Sequence, residues 1–501
     1  MKKIFAIIMV ACLLTGALSV TAFAADEQER GVVMTVSALK KGGKVVKIED
    51  KTSFEDGWNF AMAKANDKDY LDNNEYERIV VDLHSDWKAN EEGEFGDSGG
   101  EGFQWSTIYI PEQAIVTLNM NGHTIDRGLG DNNELDGEVI CIEQKADVII
   151  NGGKSGDTIT RADDMNATVQ FGTITGGNSD NGAGGIHIQD KANVTLNNVK
   201  IVGNVADDDD GGGIAMYDKA TLVMNGGGFI NNKNYSLTES YGAAIYIKGC
   251  TAKFNKVLFS NNQFTYTSGS GAVLYSDTRS VVEMDECKLI NNGNLDKEVG
   301  VKGALSVIYM FGGKIEIKNT VFEGNGSSEE DLWGSRTLSV IELWCSKLTM
   351  DNCTFTKNKA IDYMIDTHAS YPNEVLVLNS TFTNNVGGVF AGDIAEFTNC
   401  AFDKNGGSYT FGAGMYDHEK VVLNDCSIGN STFEKEKNIE IVDTDAEDGT
   451  NLPASIFSRG SLVMIVSFVA LIVSVAAIIV NVSSKKNEIQ PAEGEKSGEV
   501  K

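Results

Sequence analysis

Positive charge is what this chain lacks most. Its 42 lysines and arginines face 71 aspartates and glutamates, leaving a net charge of −29 at neutral pH. An excess of that size keeps a protein soluble and repels polyanions, so nucleic acid is not an expected partner. The one basic cluster, Lys40, Lys41, Lys44 and Lys47, has no interleaved aromatics on which bases would stack, and it reads as a solvated strand edge. Histidine is scarce as well. The 5 present are scattered, so no Ser, His and Asp constellation can be nominated. The C-x2-C spacing typical of zinc sites is absent.

What the chain has in quantity is repetition. Gly212-Gly213-Ile214 leads to Phe229-Ile230-Asn231-Asn232, Gly242-Ala243-Ala244-Ile245 to Phe259-Ser260-Asn261-Asn262, and Gly303-Ala304-Leu305 to Phe322-Glu323-Gly324-Asn325. A period of about thirty residues means a stacked array. Within each repeat, apolar and polar residues alternate, as in Val194-Thr195-Leu196 and Ile315-Glu316-Ile317, which predicts short strands with one buried face. Each strand then pairs with its copy one turn on, and the copies build parallel sheets along a solenoid. Asn204, Asn232, Asn262, Asn292, Asn325, Asn358, Asn385 and Asn405 share one slot. They are read as a structural ladder at a corner, where asparagine tolerates left-handed angles and its amide bonds to the copies above and below.

Of 8 cysteines, Cys287, Cys353, Cys400 and Cys426 fall in a second slot, filled elsewhere by Val199, Val257, Thr320 and Ser380. That mixture asks for a small buried side chain, so stacked internal thiols are expected rather than a disulfide framework.

The ends predict a location. Lys2 and Lys3, the apolar run from Ile4 to Leu14 and the Ala22-Phe23-Ala24 site read as a secretory signal over residues 1–24. Its loss would take the net charge from −29 to −31, since two lysines leave with it. Leu462 to Val482 is uncharged and long enough to span a bilayer as one helix, with Lys485 and Lys486 after it. The positive-inside rule puts 483–501 in the cytoplasm and the body outside. Leu452-Pro453-Ala454-Ser455-Ile456 lacks the Thr and Gly of a sortase signal, so retention by the helix itself is the reading.

The glycine-led strand openings and Phe-x-x-Asn over roughly residues 184–405 resemble the repeat of the chlamydial polymorphic membrane protein family, within the pectate-lyase-like superfamily of right-handed parallel β-helices. Thr107-Ile108-Tyr109-Ile110, stopped by Pro111, with Val116 to Ile125 after it, is similar to the opening coil of many bacterial β-helix proteins. The first resemblance implies a surface protein, several relatives being adhesins, although those carry an outer-membrane β-barrel where this chain has one apolar C-terminal segment. The superfamily also implies an enzymatic alternative, since its lyases use acidic Ca²⁺ ligands with an Arg or Lys base. Asp207 to Asp210 offers oxygen ligands for Ca²⁺. Adjacent aspartates in an extended segment point to alternate sides, however, so the run reads as a solvated turn. The polygalacturonase-type signatures are missing around Asp163-Asp164. His123 is read as structural, because no other histidine or cysteine stands at ligand spacing beside it.

The expected fold is all-β: a right-handed parallel β-helix solenoid over 107–433, with an N-terminal cap region over 25–106. That region carries a capping-box pattern at Thr52-Ser53-Phe54-Glu55, then an amphipathic helix of about three turns. Trp58, Trp87 and Trp105 are assigned to its packing. A stalk over 434–460, a transmembrane helix over 461–482 and a cytoplasmic tail over 483–501 complete the order. The expected function is adhesion or glycan binding at a bacterial cell surface by a monomer, without catalysis; a surface polysaccharide lyase or hydrolase and a structural envelope component are the alternatives. No catalytic, cofactor-binding or metal residue is nominated, and no cofactor is expected unless Ca²⁺ bridges an acidic glycan.

Overall fold

Strand follows strand at the spacing the repeat dictates. The structure, a computed structural model, describes residues 31–442 apart from stretches within that span, the longest being 90–102, 295–303 and 328–337. The signal segment, the expected membrane span at 461–482 and the tail lie outside the described residues, among which no helix is long and apolar enough to cross a membrane.

The described chain is an all-β parallel solenoid with few helices. Its strands stack into three long sheets, here called A, B and C, of 15, 11 and 12 strands. A short sheet of 4 strands lies between B and C in chain order. One turn shows the plan: Val281–Asp285 lies in sheet A, Lys288–Ile290 in B and Ser306–Phe311 in C. In sheet A the alternation predicted from sequence is exact enough to hold register over many turns. Val282 and Met284 stack on Ala252 and Phe254 below and on Ile315 and Ile317 above, all pointing inward. Outward residues form cross-strand pairs of opposite charge, Lys253 to Glu283 at 2.9 Å and Lys347 to Glu374 at 2.6 Å. Phenylalanines form an inner column in sheet B, with ring centroids 5.2 Å apart for Phe229 and Phe259 and 4.1 Å for Phe322 and Phe355.

Parallel pairing starts upstream of residue 107. Tyr76–Leu83 is already parallel to Ile115–Asn119, while Met34–Lys40 and Val45–Lys51 extend sheet A antiparallel before it. Downstream, Ile439–Val442 is still paired to Lys420–Asn424. Helix α1, Phe54–Ala65, lays Phe54, Trp58, Ala61, Met62 and Ala65 onto the same core that runs through the solenoid. Its N-cap is Ser53, not Thr52 as the capping-box pattern implied: the Ser53 hydroxyl accepts from the Asp56 amide at 3.3 Å.

The asparagine ladder is present, with one correction. The left-handed angle belongs to the residue before each ladder asparagine: Asn231 has φ 55°, Asn261 54°, Asn291 55°, Gly324 65° and Lys357 57°. The corner therefore turns one residue early and swings the next side chain inward. Asn292, fully buried, donates Nδ2–H to Phe259 O at 3.0 Å and to Asn325 Oδ1 at 2.9 Å. Its own Oδ1 accepts from the backbone and side-chain amides of Asn262 at 3.1 and 2.8 Å. All of its hydrogen-bonding groups are thus used inside the rod.

Replacing Asn292 by Ala strands two donors of Asn262, its backbone amide and one side-chain N–H. At about 1–3 kcal/mol for each buried group left unpaired, the loss should reach several kcal/mol. Lys347→Ala, which breaks an exposed ion pair, should cost less than about 1 kcal/mol. Denaturant unfolding of the two variants checks the difference.

Candidate functional site

Two departures from the repeat stand out on the outer surface, one on sheet B and one on sheet C. On sheet B, residues 152–171 are inserted between Asp147–Asn151 and Gly172–Thr175 and fold back over neighbouring turns. Backbone bonds pin the insertion: the Thr160 amide donates to Asn198 Oδ1 at 2.9 Å, Gly227 to Thr160 O at 2.8 Å and Ala162 to Gly227 O at 3.0 Å. Gly226, at φ 69°, lets it lie that close, since a Cβ there would stand 2.5 Å from Thr160 O. The insertion delivers Arg161 and Asp163 to Lys288. Asp163 accepts from Arg161 Nε and from Lys288 Nζ at 3.4 Å, and Arg161 Nη1 donates to Glu286 O at 3.2 Å. An open groove of about 720 Å³ results, lined by Arg161, Glu286, Cys287, Lys288, Asn319 and Val321.

Sheet C carries an outward row along the rod. Tyr246, Tyr275 and Tyr309 are register partners, continued by Glu342 and Asp366. Tyr275 and Tyr309 stack with centroids 4.6 Å apart and planes 5° apart, while Tyr241 leans on Tyr275 at 4.3 Å. With ring faces turned to each other, the row offers edges and hydroxyls outward rather than flat platforms. Burial, then the neighbouring phenols and acids, pushes the hydroxyl pKa values of Tyr275 and Tyr309 far above the usual tyrosine value.

Toward the N-terminal end of the same outward slot, next after Tyr109, stand Cys141 and His187, directly paired across neighbouring strands. Glu138 precedes Cys141 by one short step of chain, and one ligand atom from each of Glu138, Cys141 and His187 lies within 4.8 Å of the others. Burial raises the Glu138 carboxyl pKa, which a hydrogen bond between its side chain and Cys141 opposes less strongly. Burial first, then the charges of Glu138 and Glu143, drives the Cys141 thiol well above its ordinary value. Burial likewise lowers His187, favouring the neutral ring. The imidazole sits edge-on to Tyr217 at 5.3 Å, and a Cβ on Gly182 would lie 2.6 Å from its Nδ1.

The residues weighed in the sequence are dispersed. His123 Nδ1 pairs with Asp86 at 3.1 Å, and Asp86 also accepts from the Thr124 amide, so that histidine braces a corner. Asp207 ends a strand, Val205–Asp207, and like Asp210 is half-buried rather than a fully solvated turn; Asp208 and Asp209 lie outside the described residues. Trp58 and Trp87 are buried, donating to Tyr109 O at 3.2 Å and to Glu55 at 2.9 Å, while Trp105 lies outside the described residues. The described cysteines are all free; Cys287, Cys353 and Cys400 are buried in their slot as expected, while Cys426, in the same slot near the end of the array, is half-buried. Sequence reading missed Cys141 and His187 as partners because the 152–171 insertion separates them. Aligning Ile140-Cys141-Ile142-Glu143 with Ile186-His187-Ile188-Gln189 would have placed them one above the other.

The family described as the right handed beta helix region matches residues 146–304 and 234–426, which together run over more than half of the chain. No curated protein matches, and no solved structure matches.

The tyrosine row makes stability depend on alkaline pH. Because the folded pKa values of Tyr275 and Tyr309 are raised, the row's contribution is fully present below about pH 10, the unfolded value, and is lost as pH climbs from there toward the folded values. Tyr275→Phe should flatten that decline in unfolding experiments followed across pH 8–11, and unchanged slopes would show that the row is solvated.

Proposed function

This chain belongs to the right-handed β-helix family, and from that premise we propose that it is a membrane-anchored bacterial cell-surface protein that binds a glycan or another surface without turning it over. The observation that carries the reading is the groove on sheet B, where an insertion foreign to the repeat brings Arg161 and Lys288 beside the polar Asn319 and the apolar Val321. Extended polymers suit such a site because the groove is open and crosses neighbouring turns, with Lys288 and Val321 paired on adjacent strands. Arg161 and Lys288 meet two carboxylates there, Asp163 and Glu286, so the groove is densely charged but balanced. Such a polar, charged lining favours the hydroxyl and ionic groups of a sugar chain over an apolar ligand.

Support for the location is the sequence at both ends: a charged and apolar leader, and an uncharged stretch of bilayer length followed by lysines. Support for an N-terminal cap is α1, whose apolar face enters the core beside the antiparallel strands at that end. The likeness to the polymorphic membrane protein repeat, in the pectate-lyase-like superfamily, supports adhesion. A lyase is the second reading, because acidic and basic groups converge on one sheet face at Asp163, Arg161 and Lys288 as that chemistry requires.

Incubating the full-length chain with acidic and neutral polysaccharides, with and without Ca²⁺, separates these. Retention on one polymer without new unsaturated or reducing ends is expected. Lys288→Met should weaken that retention about tenfold, the worth of one charge-assisted hydrogen bond. Appearance of new chain ends would replace binding by catalysis, and neither retention nor turnover would leave a structural role in the envelope.

A further inference from the structure

We propose that Glu138, Cys141 and His187 form a binding site for a divalent transition metal, Zn²⁺ being the best match, in the outward row on sheet C next to Tyr109. The site does not depend on the glycan-binding reading, since it lies on a different sheet from the groove.

The argument starts from the ladder. Cys141 and His187 are register partners on adjacent parallel strands, Ile140–Ile142 and Ile186–Ile188, and both point outward between inward isoleucines. Neighbouring parallel strands stand about 4.8 Å apart, so a sulfur and an imidazole nitrogen on paired positions start near ligand separation. Glu138 approaches the same point from the segment leading into the Cys141 strand. One ligand atom from each lies within 4.8 Å of the others. Four ligands around zinc at about 2.0–2.3 Å stand roughly 3.3–3.8 Å apart, so rotation about side-chain bonds closes the difference.

The donor set selects the ion. One sulfur, one imidazole nitrogen and one carboxylate oxygen form a mixed soft and hard set, poorly suited to Ca²⁺ or Mg²⁺, which take oxygen, and well suited to Zn²⁺. Three protein ligands leave a fourth position for water or a bound group. Zn²⁺ and Arg127 bring three positive charges, met by Glu138, the Cys141 thiolate and Asp136, the two carboxylates being those that act on Arg127. The surroundings also favour a cation, since Glu143 adds a further negative charge beside Cys141. Binding forms the Zn–S bond as the Cys141 thiol gives its proton to solvent, with no change of oxidation state.

Surrounding groups hold the ligands as a metal site needs. Gln189 Nε2 lies 3.8 Å from the Cys141 sulfur and 3.1 Å from Glu143 Oε1, so a donor faces the position a thiolate would take. His187 is confined between Gly182 and Tyr217, which fixes the ring plane.

The test is a titration of the full-length chain, stripped with chelator and kept reduced, with Co²⁺ as an optical substitute and then Zn²⁺ in competition. One ion per chain is expected, with a thiolate-to-cobalt charge-transfer band in the near ultraviolet and visible bands of the intensity that tetrahedral cobalt gives. Cys141→Ser should abolish the charge-transfer band, and Glu138→Gln and His187→Ala should each weaken binding by more than the ~10–100-fold typical of losing an outer-shell partner. Cys345→Ser, which alters a partly exposed thiol elsewhere, should change nothing. Circular dichroism of each variant confirms the fold, and Glu138→Gln, nearly isosteric, keeps the test valid if Cys141→Ser does not fold. Absence of the band, or a band that survives both Cys141→Ser and Glu138→Gln, overturns the site.

Discussion

A buried amide that must find a partner on every side is the constraint from which this rod is built. Each ladder asparagine from Asn204 to Asn385 is wholly or almost wholly enclosed, its hydrogen bonds met by the asparagine one turn away and by a carbonyl from the turn behind, and Asn405 is half-buried at the end of the row. A turn whose asparagine slipped by one residue would bury unpaired donors in a low-dielectric interior, at a cost larger than a typical surface interaction returns. Register in the three sheets follows from that requirement. Once the asparagines align, the phenylalanines of sheet B align three residues before them, and the alternating strands of sheet A come into phase.

That dependence explains why the fold was legible. The Phe-x-x-Asn spacing, the small slot of Cys287, Cys353 and Cys400, and the alternation in Ile315-Glu316-Ile317 are local patterns, and a solenoid converts local patterns into architecture because each turn contacts mainly its copies. The exact corner geometry was less legible. Asn261 and Asn262 are neighbours of identical chemistry, yet the first takes φ 54° while the second is buried, and composition alone does not tell which amide turns inward. The same limit moved the N-cap from Thr52 to Ser53, two adjacent hydroxyl residues either of which can cap a helix.

The candidate sites were not legible for a different reason. Sequence periodicity reports what recurs, whereas the groove and the outward cluster arise where the repeat is interrupted. Residues 152–171 do both things: folded over sheet B they bring Arg161 to Lys288, a separation of 127 positions in the chain, and as an insertion they lengthen the turn between Cys141 and His187. Asp163 shows the consequence most plainly. Read in sequence beside Asp164 it resembles half of a catalytic pair, but in space it is committed to two cations.

Outward slots on a parallel stack have a property that inward slots lack. Inside, close packing between turns keeps most stacked positions apolar, with phenylalanine often on phenylalanine and Leu289 filling the gap between Phe259 and Phe322. Outside, nothing in the packing requires Cys141, His187, Ala215, Tyr246, Tyr275, Tyr309, Glu342 and Asp366 to occupy one continuous row. The stack nevertheless holds each at about one strand spacing from the next, so chemistry placed in adjacent turns is brought into contact without any loop having to fold over. Along that row a phenol at Tyr109, a thiol, an imidazole, the tyrosine stack and two carboxylates follow one another, so chemically distinct segments adjoin on one face. The rigid rod supplies the preorganisation that a binding surface otherwise obtains by ordering flexible loops.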